Sequence, residues 1–245
     1  MKRAASLAAL AALTMAGTAT RADAATATAA LDVNSAYVWR GLTFNDGMVL
    51  QPSINVAAEN GFSVNAWGNL DIDDYNGALN DGEFSEIDLT ATYAFTLGPV
   101  DANVGIIEYT FPNGAESTTE IFAGLSYALG HGFSLGSTVY YDCDQVDDFY
   151  VTAELGYSYD LNEKTNLSLG GLISLAGSEF TEFYAGGTSS GFFNYALNAS
   201  ISYKVTDAFG IGANINFTES MDDDALPDEA VDTTFYGGIN LSYTF

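Results

Sequence analysis

From Asp32 to Phe245 the chain alternates apolar and polar positions with a period of two. Successive side chains of an extended strand point to opposite faces, so this period predicts strands. The closing stretch Thr233–Phe245 sets Phe235, Gly237, Ile239, Leu241, Tyr243 and Phe245 against Thr234, Tyr236, Gly238, Asn240, Ser242 and Thr244. The run from Phe193 to Val205 is the cleanest, with Phe193, Tyr195, Leu197, Ala199, Ile201, Tyr203 and Val205 on one side. The first strand is read over Asp32 to Leu42, with Leu31, Val33, Tyr37 and Trp39 on the apolar face and Asn34, Ala36 and Arg40 on the other. Around Ile106 and Ile107 the alternation slips, which predicts a bulge. No stretch of the mature chain has a helical period, and the count comes to about twelve strands, an even number as bacterial barrels require.

The connections carry a second pattern. Asn60-Gly61, Gly98-Pro99, Gly130 to Gly132, Asn162 to Thr165 and Thr206 to Ala208 are short. Between them lie longer acidic stretches at residues 73–83, 112–117, 144–148, 177–191 and 219–232. Strict alternation of short turns and long loops is the pattern of a membrane barrel, not of a soluble sandwich. Aromatics flank the apolar face at both ends. Tyr37, Trp39, Tyr141, Phe149, Phe193, Phe217 and Phe235 are placed in an outer girdle, and Phe62, Tyr93, Tyr127, Phe133, Tyr157 and Tyr203 in an inner one. The expected fold is all-β: a transmembrane antiparallel up-and-down β-barrel over residues 25–245, with both termini periplasmic, in the outer membrane of a Gram-negative cell.

Lys2 and Arg3, the apolar run 4–17 and Ala22-Asp23-Ala24 read as a signal peptide cleaved after Ala24. Its removal leaves Arg40, Lys164 and Lys204 as the remaining basic side chains. The formal charge of −26 repels phosphate, which argues against nucleic-acid binding. The C-terminal Tyr243 and Phe245 resemble the assembly signal read by the barrel-assembly machinery.

Ser35-Ala36-Tyr37-Val38-Trp39-Arg40-Gly41 resembles the S-x-Y-x-[aromatic]-R-G opening of the Gcw_chp (TorF) family of proteobacterial proteins. Asp46-Gly47, Gly61-Phe62 and Trp67-Gly68-Asn69 follow in similar order. The resemblance implies an outer-membrane barrel and supplies no catalytic residue.

The inward face is expected to hold Arg40, Glu86, Asp88, Glu120, Asp142, Glu154, Asp160 and Lys204. Six acids against two bases point to a lumen that favours cations. The competing reading is a salt-bridge network that plugs it, leaving a structural or surface-interaction barrel. Inward Gly124, Gly136, Gly156, Gly170, Gly210, Gly212 and Gly238 leave room, whereas inward Trp67, Phe122, Tyr140, Phe192 and Tyr236 fill it. The expectation is a narrow porin-like passive channel for cations or small neutral solutes, in contact with membrane lipid and lipopolysaccharide. The acidic stretches 71–74, 142–148 and 222–232 offer ligands for Ca²⁺ or Mg²⁺ but lack EF-hand spacing, so they read as a solvated surface. No cofactor or metal site is expected. Cys143 reads as a small apolar residue near the outer rim. His131, the single histidine, sits in a short turn, away from the rim where a hydrolase of this kind would need it.

Overall fold

The computed structural model describes residues 25–73 and 80–245. The expected leader, residues 1–24, and Asp74 of the first acidic stretch lie outside them. Among the described residues there are fourteen strands. The first four are Ala25–Asn34 (β1), Tyr37–Trp39 (β2), Leu42–Asn45 (β3) and Val49–Ala58 (β4). Phe62–Asp71 (β5), Phe84–Leu97 (β6), Val100–Thr110 (β7), Thr118–Gly130 (β8) and Phe133–Asp142 (β9) continue the meander. Asp148–Asn162 (β10), Thr165–Ala176 (β11), Gly191–Lys204 (β12), Phe209–Ser220 (β13) and Phe235–Thr244 (β14) complete it.

All but β2 and β3 form one closed antiparallel barrel. β1 closes it, pairing with β4 on one side and β14 on the other, with Leu31 opposite both Pro52 and Leu241. Closure leaves no unpaired edge, which hydrocarbon requires. Ile54, Leu89, Leu125, Leu155, Leu197 and Ile239 are open on the outer face. An apolar belt of this kind is stable against lipid, not water.

Turn chemistry explains the short connections. Gly61 has φ +92°, and the Asn60 side chain accepts the Phe62 N–H. A side chain at Gly61 would run into the Ala94 carbonyl, so glycine is required there twice over.

Four expectations are corrected. The first strand does not run to Leu42. It ends at Asn34, and Tyr37–Asn45 turns back as the separate hairpin β2–β3. The cause is the tip Arg40-Gly41, with φ +52° and +89°, the paired left-handed conformation of a two-residue hairpin turn. Tyr37 and Trp39 therefore leave the outer girdle: Tyr37 is buried and Trp39 packs into the core. Second, β7 pairs through Ile106 and Ile107 without a register shift. Ile107 simply faces inward, an apolar residue on the lumen side. Third, β12 carries an irregularity that the alternation did not show, where pairing with β11 shifts between Ile173 and Leu175. The extra residue turns Phe193 inward, fully buried, and Phe192 outward. Fourth, the acidic stretches are not wholly solvated: Asp71 and Asp142 are buried, as are Val146, Ala225, Leu226 and Val231 from the long connections.

Candidate functional site

The hairpin β2–β3 enters the long-loop end of the barrel and stoppers it. Its apolar side packs into the main buried cluster, where Leu42 meets Val146, Tyr150, Phe180, Phe193 and Leu226, with Trp39 and Phe44 against them. The loop after β11 lies over it as a helical turn, Ser178–Phe180, running into a π-helical turn, Thr181–Ala185. Asp148 holds that turn by accepting the Glu179 and Phe180 N–H groups at 2.8 and 3.1 Å. Phe180 then sits 6.0 Å from Trp39, 5.4 Å from Tyr150 and 4.8 Å from Tyr184, ring centre to ring centre.

The polar groups of the hairpin are bolted to the wall. Tyr37 donates to Glu86 at 2.8 Å, and Asn45 donates to Asp71 at 2.7 Å. Burial, then the Glu86 carboxylate, push the Tyr37 phenol well above its usual range, so it remains a donor. At the tip, Arg40 donates from both terminal nitrogens to the two oxygens of Glu120, each at 2.7 Å. Tyr109 donates to the same carboxylate at 2.9 Å. The guanidinium lies 4.3 Å from the Trp39 ring centre, 4.4 Å from Tyr140, 4.5 Å from Tyr150 and 5.6 Å from Phe180. Burial alone would favour its neutral form, but Glu120 outweighs that and raises the pKa above its ordinary value. Gly41 beside it has φ +89°, which disfavours any side chain, and a Cβ there would press on Asn194 Cβ at 3.0 Å.

Beneath the hairpin is a cavity of about 350 Å³, lined by Arg40, Tyr109, Tyr140, Tyr150, Glu154 and Tyr236 among others. A second cavity of about 410 Å³ shares Glu154 and Leu172 with it and is lined by Asn103, Ser126, Ser134, Thr138 and Asn198. The inward residues change character along the axis. Near the loops they are bulky and buried; toward the short turns they are serine, threonine, asparagine and glycine, with Ser126, Ser158, Asn198 and Ser202 open to solvent.

The eight charged positions singled out in the sequence do not form one ring. Arg40 and Glu120 are the one ion pair among the described residues. Glu86 holds Tyr37. Asp142 accepts from Thr118, from Tyr184 and from the N–H groups of Asp144, Gln145 and Val146, so it organises a loop. Asp88 has a buried carboxylate oxygen with no donor among the described residues. Glu154 is open to the lumen and bonded to Thr152 at 2.7 Å. Asp160 and Lys204 are exposed near the short-turn end. Tyr243 and Phe245 are exposed on the outer face, their rings 5.0 Å apart.

Sequence reading missed the aromatic half of the site: Tyr37, Trp39, Tyr150, Phe180 and Phe193. The one available signal was Arg40-Gly41, a tight-turn dipeptide inside what was read as a continuous strand.

Comparisons agree with this architecture. The KdgM porin in complex with disordered oligogalacturonate superposes with a TM-score of 0.56 at 8% identity, over 90% of this chain and 99% of that one. The NanC porin gives 0.53 at 12% identity, over 87% and 98%. The COG4313 outer membrane channel from Pseudomonas putida F1 gives 0.53 at 10% identity, over 94% and 100%. At such identities the likeness is one of fold: a porin-like barrel of the outer membrane. No curated protein matches by sequence. A family model described as a bacterial protein of unknown function matches residues 18–230, and the chain therefore belongs to the Gcw_chp family.

Proposed function

We propose that the protein is a passive outer-membrane channel for small hydrophilic solutes, cations and neutral molecules, stoppered at its outer end by the hairpin Tyr37–Asn45. One observation carries this reading: below the stopper the lumen is solvent-open and lined by hydroxyl, amide and glycine positions. Such a lining exchanges hydrogen bonds with a passing solute without trapping it. A preference for cations is supported by Glu154 and Asp160, inward carboxylates open to solvent with Lys204 as the exposed inward base, once Arg40 is neutralised by Glu120. No catalytic role is assigned. His131 lies in the Gly130–Gly132 turn, at the opposite end of β9 from the cap. In this reading residues 1–24 are the leader, Tyr243 and Phe245 address the assembly machinery, and the outer rim faces lipopolysaccharide.

The packed cap favours a second reading, a surface-interaction barrel that never opens. Single-channel recording in planar bilayers separates them. The second reading expects a silent full-length barrel; the channel reading expects discrete openings of the full-length barrel, larger ones in a barrel lacking residues 36–46, and a reversal potential favouring K⁺ over Cl⁻. A hairpin-free barrel that does not conduct sinks it, and an anion-selective one sinks the cation preference.

A further inference from the structure

The surroundings of Arg40 have the chemistry of a receptor. Glu120 presents both oxygens to the guanidinium in the two-point geometry that a guanidinium matches and an ammonium does not. Tyr109 fixes that carboxylate from behind. Tyr140, Tyr150 and Phe180 supply aromatic faces. All of these belong to barrel strands or to the loop after β11; of the groups around the cation, Trp39 alone travels with the hairpin. The pocket would therefore outlast withdrawal of the hairpin nearly whole. It also adjoins the 350 Å³ cavity, so a small cation in the lumen has a route to it.

We propose that Glu120, Tyr140, Tyr150 and Phe180 form a guanidinium-binding site that Arg40 occupies as a tethered ligand. Free guanidinium compounds compete for it and release the hairpin. Its use as a gate rests on the channel reading above; the site itself does not. Two physical features favour the competition. Arg40 is a non-glycine residue in the left-handed region, which weakens its hold. A tethered ligand acts as a finite effective concentration, which free ligand in excess overcomes.

The test uses the protein's own reporters. Its two tryptophans both border the hairpin: Trp39 is on it, and Trp67 lies 5.7 Å from the Tyr37 ring. Purified full-length barrel in detergent is titrated with methylguanidinium, and with methylammonium as the control, while tryptophan fluorescence and its quenching by iodide are read. In Arg40→Ala, methylguanidinium should give a saturable change at a concentration on the order of tenfold below methylammonium. Wild type should need on the order of tenfold more methylguanidinium than Arg40→Ala, and iodide quenching should rise as the hairpin leaves. Adding Glu120→Gln to Arg40→Ala should abolish the response. Equal responses to the two cations, equal half-saturation in wild type and Arg40→Ala, or no response in a heat-modifiable Arg40→Ala barrel would each overturn the proposal. Should Arg40→Ala not assemble, Arg40→Lys keeps the charge, loses the fork and carries the same expected order. A hairpin-deleted barrel that fails to conduct would end the channel reading and leave the site to be judged on fluorescence.

Discussion

Arg40 reaches across the lumen to Glu120, 80 residues away in sequence, and binds both its oxygens at 2.7 Å. Both side chains are buried, at 8% and 1% exposure, so each charge depends on the other. Removing one partner leaves an uncompensated buried charge, which costs more than removing both. Arg40→Ala and Glu120→Gln should each destabilise the docked hairpin by about 3–5 kcal/mol, and the double variant should recover part of that loss. A double-mutant cycle on the urea midpoint of tryptophan fluorescence checks it. Strictly additive effects would show that the pair is not coupled.

Phe180 is fully buried at the centre of the cap, between Trp39, Tyr150 and Phe193. Phe180→Ala should loosen the cap by about 3–5 kcal/mol through the lost contacts and the void left behind. Iodide quenching of tryptophan should increase while heat-modifiable migration on SDS gels stays unchanged, because the barrel ladder does not involve this residue. Loss of heat modifiability would mean that cap and barrel fold as one unit.

Leu197 projects from the middle of β12 into the apolar belt. Leu197→Arg should cost about 2–4 kcal/mol of barrel stability in lipid. The same change at the neighbouring inward Asn198 should cost far less, since it faces the lumen. Equal costs, measured by urea unfolding in vesicles, would contradict the assignment of faces.

Glu154 is the inward carboxylate that borders both cavities. In a hairpin-free barrel, Glu154→Gln should move the reversal potential toward Cl⁻, whereas Asp142→Asn should leave it unchanged and weaken the β9–β10 loop, whose N–H groups Asp142 accepts. An unshifted potential in Glu154→Gln would remove this residue from the selectivity path.

Cys143 follows β9 at the long-loop end and is exposed, with its thiol directed to the Thr119 carbonyl at 3.3 Å. Partial desolvation of the sulfur, then the Asp142 carboxylate, raise its pKa above the usual thiol range. The thiolate is the reactive form, so a membrane-impermeant maleimide should label it slowly at neutral pH and faster as pH rises through that raised value. Labelling of intact cells tests which end faces out. Protection in intact cells with labelling after lysis would invert the topology.

Much of this molecule was settled by local pattern. Alternation fixes which side chain faces lipid on nearly every barrel strand, because a strand has two faces and only one tolerates hydrocarbon. The order of short and long connections then fixes an up-and-down meander, and closure follows because an open edge is untenable in a membrane. The family resemblance also rests on local residues, Ser35 to Gly41. The stopper was not legible. Tyr37-Val38-Trp39 has the same alternation whether it continues β1 or turns inward as β2, since period two reports a face and not a sheet. Only the left-handed pair Arg40-Gly41, docked against Glu120 and Asn194 from distant strands, decides between them. The same holds for Phe192 and Phe193, where a one-residue bulge set by pairing with β11 exchanges lipid for core. The carboxylates likewise announced an acidic lumen as a sum. Which of them pairs, which caps a loop and which stays open to solvent depends on contacts between residues 24 to 80 positions apart, and those exist only in the closed barrel.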